Sequence, residues 1–531
     1  MPKTRSCSIL CLALCSFLLA LVWTPALAEA AGGSGTITIF HTNDMHARIL
    51  PEDDRGASIG LPEIATVVKE AREASPNVLW LDAGDTVHGM PMINVSKGEN
   101  MVPLLNAAGV DALSPGNHDF NYGSKQLEKL AKAMKFPVLC ANLVRKDNGK
   151  NVFPSYKIYK LQGIKVGVFG LSTPECAFKT SPKNVETVEF LNPVDKSREM
   201  VKKLRPQCDV VVALMHMGLD ESSEFTSERI AREVPGIDLI VDGHSHTTLP
   251  EGLQAGNTLI VQTGWHEYNL GKVEIKLENH RITSKKAQLL GDELFETAKI
   301  QPDPVVQKGL DKVKADSEVL FSEVVAHTDR ALSGDRLLVR RQEAELGNLC
   351  ADAIRWKTGA EVAVINGGGM RTDLPKGDVT RGACLAIFPF GNTVQLAEVQ
   401  GKTIRQMMEH SVYGYPASFG GFLDFSGMTV SCDPTRPVGQ RITEIKVNGV
   451  PLDDNRIYTL ATNDFIFAGG DDYEMLKGAK IIGESDTCEE VLASYLNEVG
   501  MEGIETGRLK MVKEVELPDE AADGAEMPKA A

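Results

Sequence analysis

From Thr36 to about Leu290 the chain alternates short apolar runs with amphipathic stretches. The apolar runs cover residues 36–41, 77–81, 110–114, 137–141, 165–171, 209–214, 237–241 and 258–262. Several are rich in β-branched residues and too short for helices, so they predict buried strands. Residues 61–74, 124–133 and 193–204 between them read as helices. This alternation predicts α/β layering rather than separate all-α and all-β blocks. Residues 302–321 predict one amphipathic helix, with Val305, Val306, Leu310, Val313 and Leu320 on one side, that bridges two domains. A second α/β unit follows, with strands expected at 361–365, 394–399, 441–447 and 458–462. The acidic, alanine-rich stretch 516–531, with Pro518 and Pro528, predicts a disordered tail.

At 531 residues the chain is too long for one ordinary core. The resulting plan is a domain over 36–295, a linker helix over 302–321, a second domain over 322–515 and a tail over 516–531. A formal net charge of −16 argues against a sequence-independent binder of nucleic acid polymers. It leaves a small anionic substrate open, because arginines and metals reverse the field locally inside a cleft. The first 28 residues carry Lys3 and Arg5, an apolar core over 9–22, and Ala26-Leu27-Ala28 as a small-x-small cleavage site. They predict a secreted or periplasmic protein cleaved near Ala28, without stable membrane insertion. Seven cysteines follow that segment, scattered and odd in number, which reads as mostly buried free thiols.

Five apolar runs end in metal-type side chains: Asp44 and His46, Asp85, Asn117 to Asp119, His216, and His244 and His246. Carboxylate, imidazole and carboxamide donors suit zinc, manganese, iron or cobalt, and no single ion needs so many. The excess points to two divalent ions sharing a ligand, as in phosphoryl displacement. Asp85 follows Gly84 on a tight loop and has two oxygens with which to bridge. Most of these residues stand just after the carboxyl end of an expected strand, the edge where open α/β sheets gather ligands.

These blocks resemble the signature of calcineurin-like metallophosphoesterases. The later segments Asn366-Gly367-Gly368-Gly369-Met370-Arg371, Phe388-Pro389-Phe390-Gly391-Asn392 and Ala468-Gly469-Gly470-Asp471 are similar to the second domain of the 5′-nucleotidase family. The resemblance implies a four-layer αββα sandwich joined by a helix to a smaller α/β nucleotide-binding domain. It implies one metal on Asp44, His46, Asp85 and His246, and a second on Asp85, Asn117, His216 and His244. His118 would contact the phosphate as the catalytic histidine. Arg340, Asn366 and Arg371 would hold phosphate or base edges, Phe390 and Phe465 would sandwich the base, and Asp471 would accept from ribose hydroxyls. The implied reaction is hydrolysis of nucleoside 5′-phosphates by a metal-held hydroxide.

Two positions depart from the family pattern. Asn121 stands where many members carry an aspartate paired with the catalytic histidine, and an amide stabilises imidazolium less. The Gly-Asn-His-Asp-Phe-Asn form resembles the 2′,3′-cyclic-nucleotide phosphodiesterase/3′-nucleotidase group, which is the alternative activity. UDP-sugar or nucleoside di- and triphosphate hydrolysis on the same scaffold is a further one. Asp472 replaces a glycine common after the Gly-Gly-Asp turn, a change aspartate tolerates better than most residues.

Overall fold

The computed structural model describes residues 33–515 apart from positions 51, 54, 55, 58, 178, 181, 221, 222, 505 and 514. The expected signal segment and acidic tail lie outside the described residues.

Two sheets face each other in the N-terminal half. The first runs Arg281–Gly291, Asn269–Glu278, Gly35–Thr42, Val78–Asp82, Ala112–Leu113. The second runs Leu253–Ala255, Thr258–Val261, Leu239–Val241, Val210–His216, Ile164–Ser172, Tyr156–Leu161. In the first sheet the last three strands pair parallel and the first two add antiparallel; in the second the four central strands pair parallel and antiparallel strands close both edges. Successive side chains of a strand point to opposite faces, and the cores follow that rule. Ile37, Ile39, Leu79 and Leu81 meet Val166, Val168, Val210 and Val212 between the sheets. Phe40 and Trp80 instead face the helices Leu61–Ala74 and Met101–Ala108. Phe169, Val211 and Ala213 face Pro193–Leu204. The layering is therefore helix, sheet, sheet, helix.

The helix Pro304–Phe321 begins where Asp303 accepts from the Val305 and Val306 amides, with a proline in its first turn. Its Val306, Leu310 and Val313 join the N-terminal core. It also touches Arg381–Ile387 of the C-terminal half, so one helix contacts both. That half holds a mixed sheet ordered Leu423–Ser426, Val362–Asn366, Ile457–Asn463, Thr393–Gln400, Lys480–Thr487. Helices Glu345–Thr358 and Cys488–Glu498 cover one of its faces. Gly401–Ser411 and a small four-stranded sheet cover the other.

One expected strand does not form. Residues 137–141 make an isolated bridge from Val138 to Leu113 and then cross between the sheets. Leu139 donates to Leu113 O of the first sheet, and Ala141 donates to Gly170 O of the second. Pro137 has no N–H to give a ladder. Gly170 allows the crossing, because a Cβ there would stand 1.9 Å from Leu139 O. The apolar pattern does not predict the hairpin Asn269–Glu278 with Arg281–Gly291, because its outer strand has no buried residue and carries little apolar signal.

Candidate metal centre and nucleotide cleft

The metal-type side chains converge because each follows the carboxyl end of a parallel strand. Asp44 and His46 come after Gly35–Thr42, Asp85 after Val78–Asp82, and Asn117 and His118 after Ala112–Leu113. His216 closes Val210–His216, and His244 and His246 come after Leu239–Val241. The turns are tight. Asp44, His46, Asp85, His244 and His246 all hold positive φ, between 45° and 80°. Non-glycine residues seldom adopt this conformation unless the surrounding structure imposes it.

Asp119 supplies much of that constraint. Its carboxylate accepts from the amides of Asp85, Thr86, Val87 and Gly116, each at 2.9 Å, tying the Asp85 loop to the Asn117 loop. Its sequence neighbours placed it among the metal-type residues, yet its oxygens are spent on backbone. Asp82 plays a similar part, accepting from Thr42 Oγ1 at 2.6 Å and from the Gly84 amide at 3.0 Å.

Ligand atoms gather in overlapping sets: Asp44, His46 and His246; His46, Asp85 and His118; Asp44, Asp85 and His216. His216 Nε2 lies 3.1 Å from Asp85 Oδ2 and 3.8 Å from Asp44 Oδ1. His246 Nε2 lies 3.4 Å from Asp44 Oδ1 and 3.2 Å from His46 Nε2. Asn117 and His244 meet each other, with Asn117 Oδ1 2.9 Å from His244 Nδ1. His244 Nε2 is taken by Glu175 Oε2 at 3.0 Å. Glu175, just past the end of Ile164–Ser172, escaped sequence reasoning because no metal-type residue beside it marks the position.

Electrostatics favour positive charge here. Burial alone would raise the Asp44 and Asp85 carboxyls, but His216 and the other imidazoles outweigh it and hold both below the usual carboxylate range. Burial alone would lower His216, but Asp85 and Asp44 push it up to about 10.

Three observations test whether divalent ions suit this arrangement. His216 Nδ1 donates to Ala83 O, which leaves its buried Nε2 facing the Asp85 and Asp44 carboxylates without a well-aligned hydrogen bond. A Cβ on Gly116 would stand 2.2 Å from Asp85 Oδ1, and one on Gly243 2.9 Å from Asp44 Oδ2, so only glycine leaves room against the carboxylates. The donor set of carboxylates, imidazoles and one carboxamide oxygen is what borderline divalent ions take. The residues fit.

His118 opens the short turn His118–Phe120, and its own amide donates to Asp85 Oδ1 at 2.7 Å. Asn121 Nδ2 lies 3.2 Å from His118 Nδ1, and the Asn121 carbonyl oxygen accepts from Thr180 Oγ1 at 2.9 Å. His88, stacked parallel to His118, is lowered to about 3 by burial and so sits there neutral.

In the second half, Asn366 Nδ2 donates to Asp471 Oδ2 at 2.9 Å, and Asn463 Nδ2 donates to Asn366 Oδ1 at 3.0 Å. Arg340 acts electrostatically on Asp471, which is raised mainly by burial. The Arg371 guanidinium lies 5.7 Å from the Phe390 ring centre. Phe390 and Phe465 are 39% and 41% exposed, which leaves both rings open to a ligand. Asp471 and Asp472 hold positive φ of 51° and 63°, as the replaced glycine would.

A cleft of about 240 Å³ separates the metal-type residues from the C-terminal half. Its far wall carries Phe390, Asn392, Thr393, Gln395, Asp464 and Glu484. Of the six expected nucleotide-binding residues, only Phe390 is on that wall; Arg340, Asn366, Arg371, Phe465 and Asp471 are not. Glu484, gripped by Thr393 Oγ1 at 2.5 Å and Gln395 Nε2 at 3.2 Å, brings Oε1 to 3.7 Å from His118 Nε2.

A four-layer sandwich with histidines, carboxylates and a carboxamide on one sheet edge defines a metallophosphoesterase. Residues 37–248 match the calcineurin-like phosphoesterase family, and residues 324–478 match the 5′-nucleotidase C-terminal domain. The chain is 30% identical to the snake venom 5′-nucleotidase of Gloydius brevicauda, over 91% of this chain and 90% of that one. It resembles the solved 5′-nucleotidase precursor of Thermus thermophilus at 29% identity and TM-score 0.54, covering 91% of this chain and 100% of that one. The NAD nucleotidase of Haemophilus influenzae shares the fold, with TM-score 0.72 at 21% identity, over 90% of this chain and 99% of that one. The chain belongs to the 5′-nucleotidase family and is a phosphohydrolase of that family.

Proposed function

We propose that this chain is an exported two-metal hydrolase that converts nucleoside 5′-monophosphates to nucleoside and phosphate. The observation that carries the reading is the pair of exposed rings, Phe390 and Phe465, on a domain that also brings together Arg340, Asn366 and Asp471. A base between two phenyl rings gains roughly 1–3 kcal/mol per contact without strong choice among bases. Asp471 accepts from ribose hydroxyls, while Arg340 and Arg371 offer planar forks to phosphate oxygens. The domain limits proposed are 36–295 and 322–515, and export follows from the leader over 1–28. Among the described residues no helix is long and apolar enough to cross a membrane.

Asp44, His46, Asp85 and His246 would hold one ion, and Asp85, Asn117, His216 and His244 the other. When bound, the two ions supply Lewis-acid activation of a water nucleophile and neutralise the phosphoryl oxygens. His118 donates from Nε2 to a phosphoryl oxygen as charge develops in the transition state. Asn121 holds the His118 ring from the opposite nitrogen. The water oxygen bonds to phosphorus as the bond from phosphorus to the nucleoside oxygen breaks, and the proton that water loses balances the one the leaving nucleoside oxygen gains. Because five of the six nucleotide residues are off the cleft wall, the second domain must turn to bring the base site over the metals. The helix Pro304–Phe321, which contacts both halves, is the pivot of that turn.

Asn121 supports a second reading, hydrolysis of 2′,3′-cyclic or 3′ esters. The test is turnover by purified residues 29–531 with manganese or zinc. The substrates are 5′-AMP, 3′-AMP, 2′,3′-cyclic AMP, ATP and UDP-glucose, with EDTA controls and products read by chromatography. EDTA-sensitive preference for 5′-AMP is expected. Preference for cyclic or 3′ esters would move the protein to the second reading, and no turnover would defeat both.

A further inference from the structure

We infer that Glu175 is a positioning residue that orients His244 and sets how tightly the second cation position binds. The inference rests on the two-metal reading of the site. A carboxylate only accepts hydrogen bonds, so with Nδ1 given to a cation the Nε2 of His244 carries the proton and donates to Glu175 Oε2, 3.0 Å away. Nδ1 then faces Asn117 Oδ1, 2.9 Å away, and the two acceptor atoms are brought together at the proposed cation position. The other imidazole of this position is held differently, since His216 donates from Nδ1 to a backbone carbonyl and presents Nε2. The backbone at His244, with φ of 80°, is pinned by its amide donating to both oxygens of Asp44. That leaves ring rotation as the remaining freedom, and Glu175 removes it.

The short segment that carries Glu175 also holds the neighbouring groups. Lys179 N donates to Glu175 O at 2.6 Å, and Lys179 O accepts from Asn117 Nδ2 at 3.1 Å, so the Asn117 carbonyl oxygen is turned inward. Thr180 Oγ1 donates to Asn121 Oδ1 at 2.9 Å. Residues 175, 179 and 180 therefore orient His244, Asn117 and Asn121 together. Of these supports only Glu175 brings charge. To a cation Asn117, His216 and His244 would offer uncharged ligand atoms, and Asp85 is the only carboxylate proposed to reach the second position. A carboxylate behind an imidazole raises its donor strength, and losing such a partner weakens metal affinity by about 10–100-fold.

The test is calorimetric titration of EDTA-stripped protein with manganese, with bound metal counted by mass spectrometry, on the full chain and its variants. Wild type is expected to bind two ions; fewer than two would defeat the two-metal reading itself. Glu175→Ala is expected to keep the first ion at wild-type affinity and bind the second about 10–100-fold more weakly. Glu175→Gln, which keeps an acceptor without the charge, should fall between. Glu175→Ala binding both ions as wild type does would overturn the inference. So would equal loss of both ions with a lowered unfolding midpoint, since that marks a purely structural role.

Discussion

At Asn121 the chain places an amide 3.2 Å from His118 Nδ1, where a carboxylate would stabilise a protonated ring. Asn121→Asp is expected to raise kcat on a 5′-monophosphate by about fivefold, the worth of one charge-assisted hydrogen bond. Steady-state kinetics checks it, and unchanged kcat would mean that His118 acts only as a neutral donor. The phenylalanine pair predicts a different signature. Phe390→Ala and Phe465→Ala should each raise KM by roughly 5–100-fold through lost stacking while changing kcat less. A KM within twofold of wild type for both variants would remove them from the base site.

At the scale of elements, the strand-end loops depend on Asp119 rather than on their own turn residues. Replacing it by alanine strips four amides of their acceptor. Asp119→Ala is expected to cost about 2–4 kcal/mol, read from urea unfolding, and to lower activity with it. A cost below about 0.5 kcal/mol would show the loops held by other means. The first turn of Cys488–Glu498 makes a pH prediction. Burial, then the Asp486 charge, raises Glu489 to about 7 and Glu490 to about 8, from an ordinary 4.5. The folded chain holds these protons more tightly than the unfolded one. Their contribution is therefore full below about 4.5 and lost as pH climbs through 7 to 8. Glu489→Gln mimics the protonated form. Calorimetry should show Tm raised by a few degrees at about pH 8.5 and almost unchanged near pH 5. Equal Tm differences at both pH values would refute this.

For the whole molecule, the wall facing the metal-type residues is acidic. Asp464, raised to about 6 by burial and by Glu484, stands on it with Glu484 itself, and Glu484 approaches His118. A phosphate entering this arrangement meets like charge, which costs several kcal/mol unless the domain turns away. Glu484→Gln is expected to lower KM for a 5′-monophosphate by about 3–10-fold by weakening that arrangement. Small-angle scattering of the substrate-free protein should shift with it. Unchanged KM and unchanged scattering would remove Glu484 from the balance.

The sequence alone determined the α/β layering, the helix between the halves and the convergence of Asp44, His46, Asp85, His216, His244 and His246. Strand period, helix period and strand-end position are local properties that a chain carries in its order of residues. It could not show Glu175 or the backbone duty of Asp119, because those roles depend on what lies opposite in space. The edge hairpin was illegible for a related reason: an exposed outer strand is defined by its partner and not by its own hydrophobicity. The crossing at 137–141 looked like a strand because apolar runs mark burial, whereas a ladder also needs donors in register, and Pro137 lacks one. Which residues share the cleft was decided only by how the two halves pack, since a few contacts between domains set it and no local pattern encodes them.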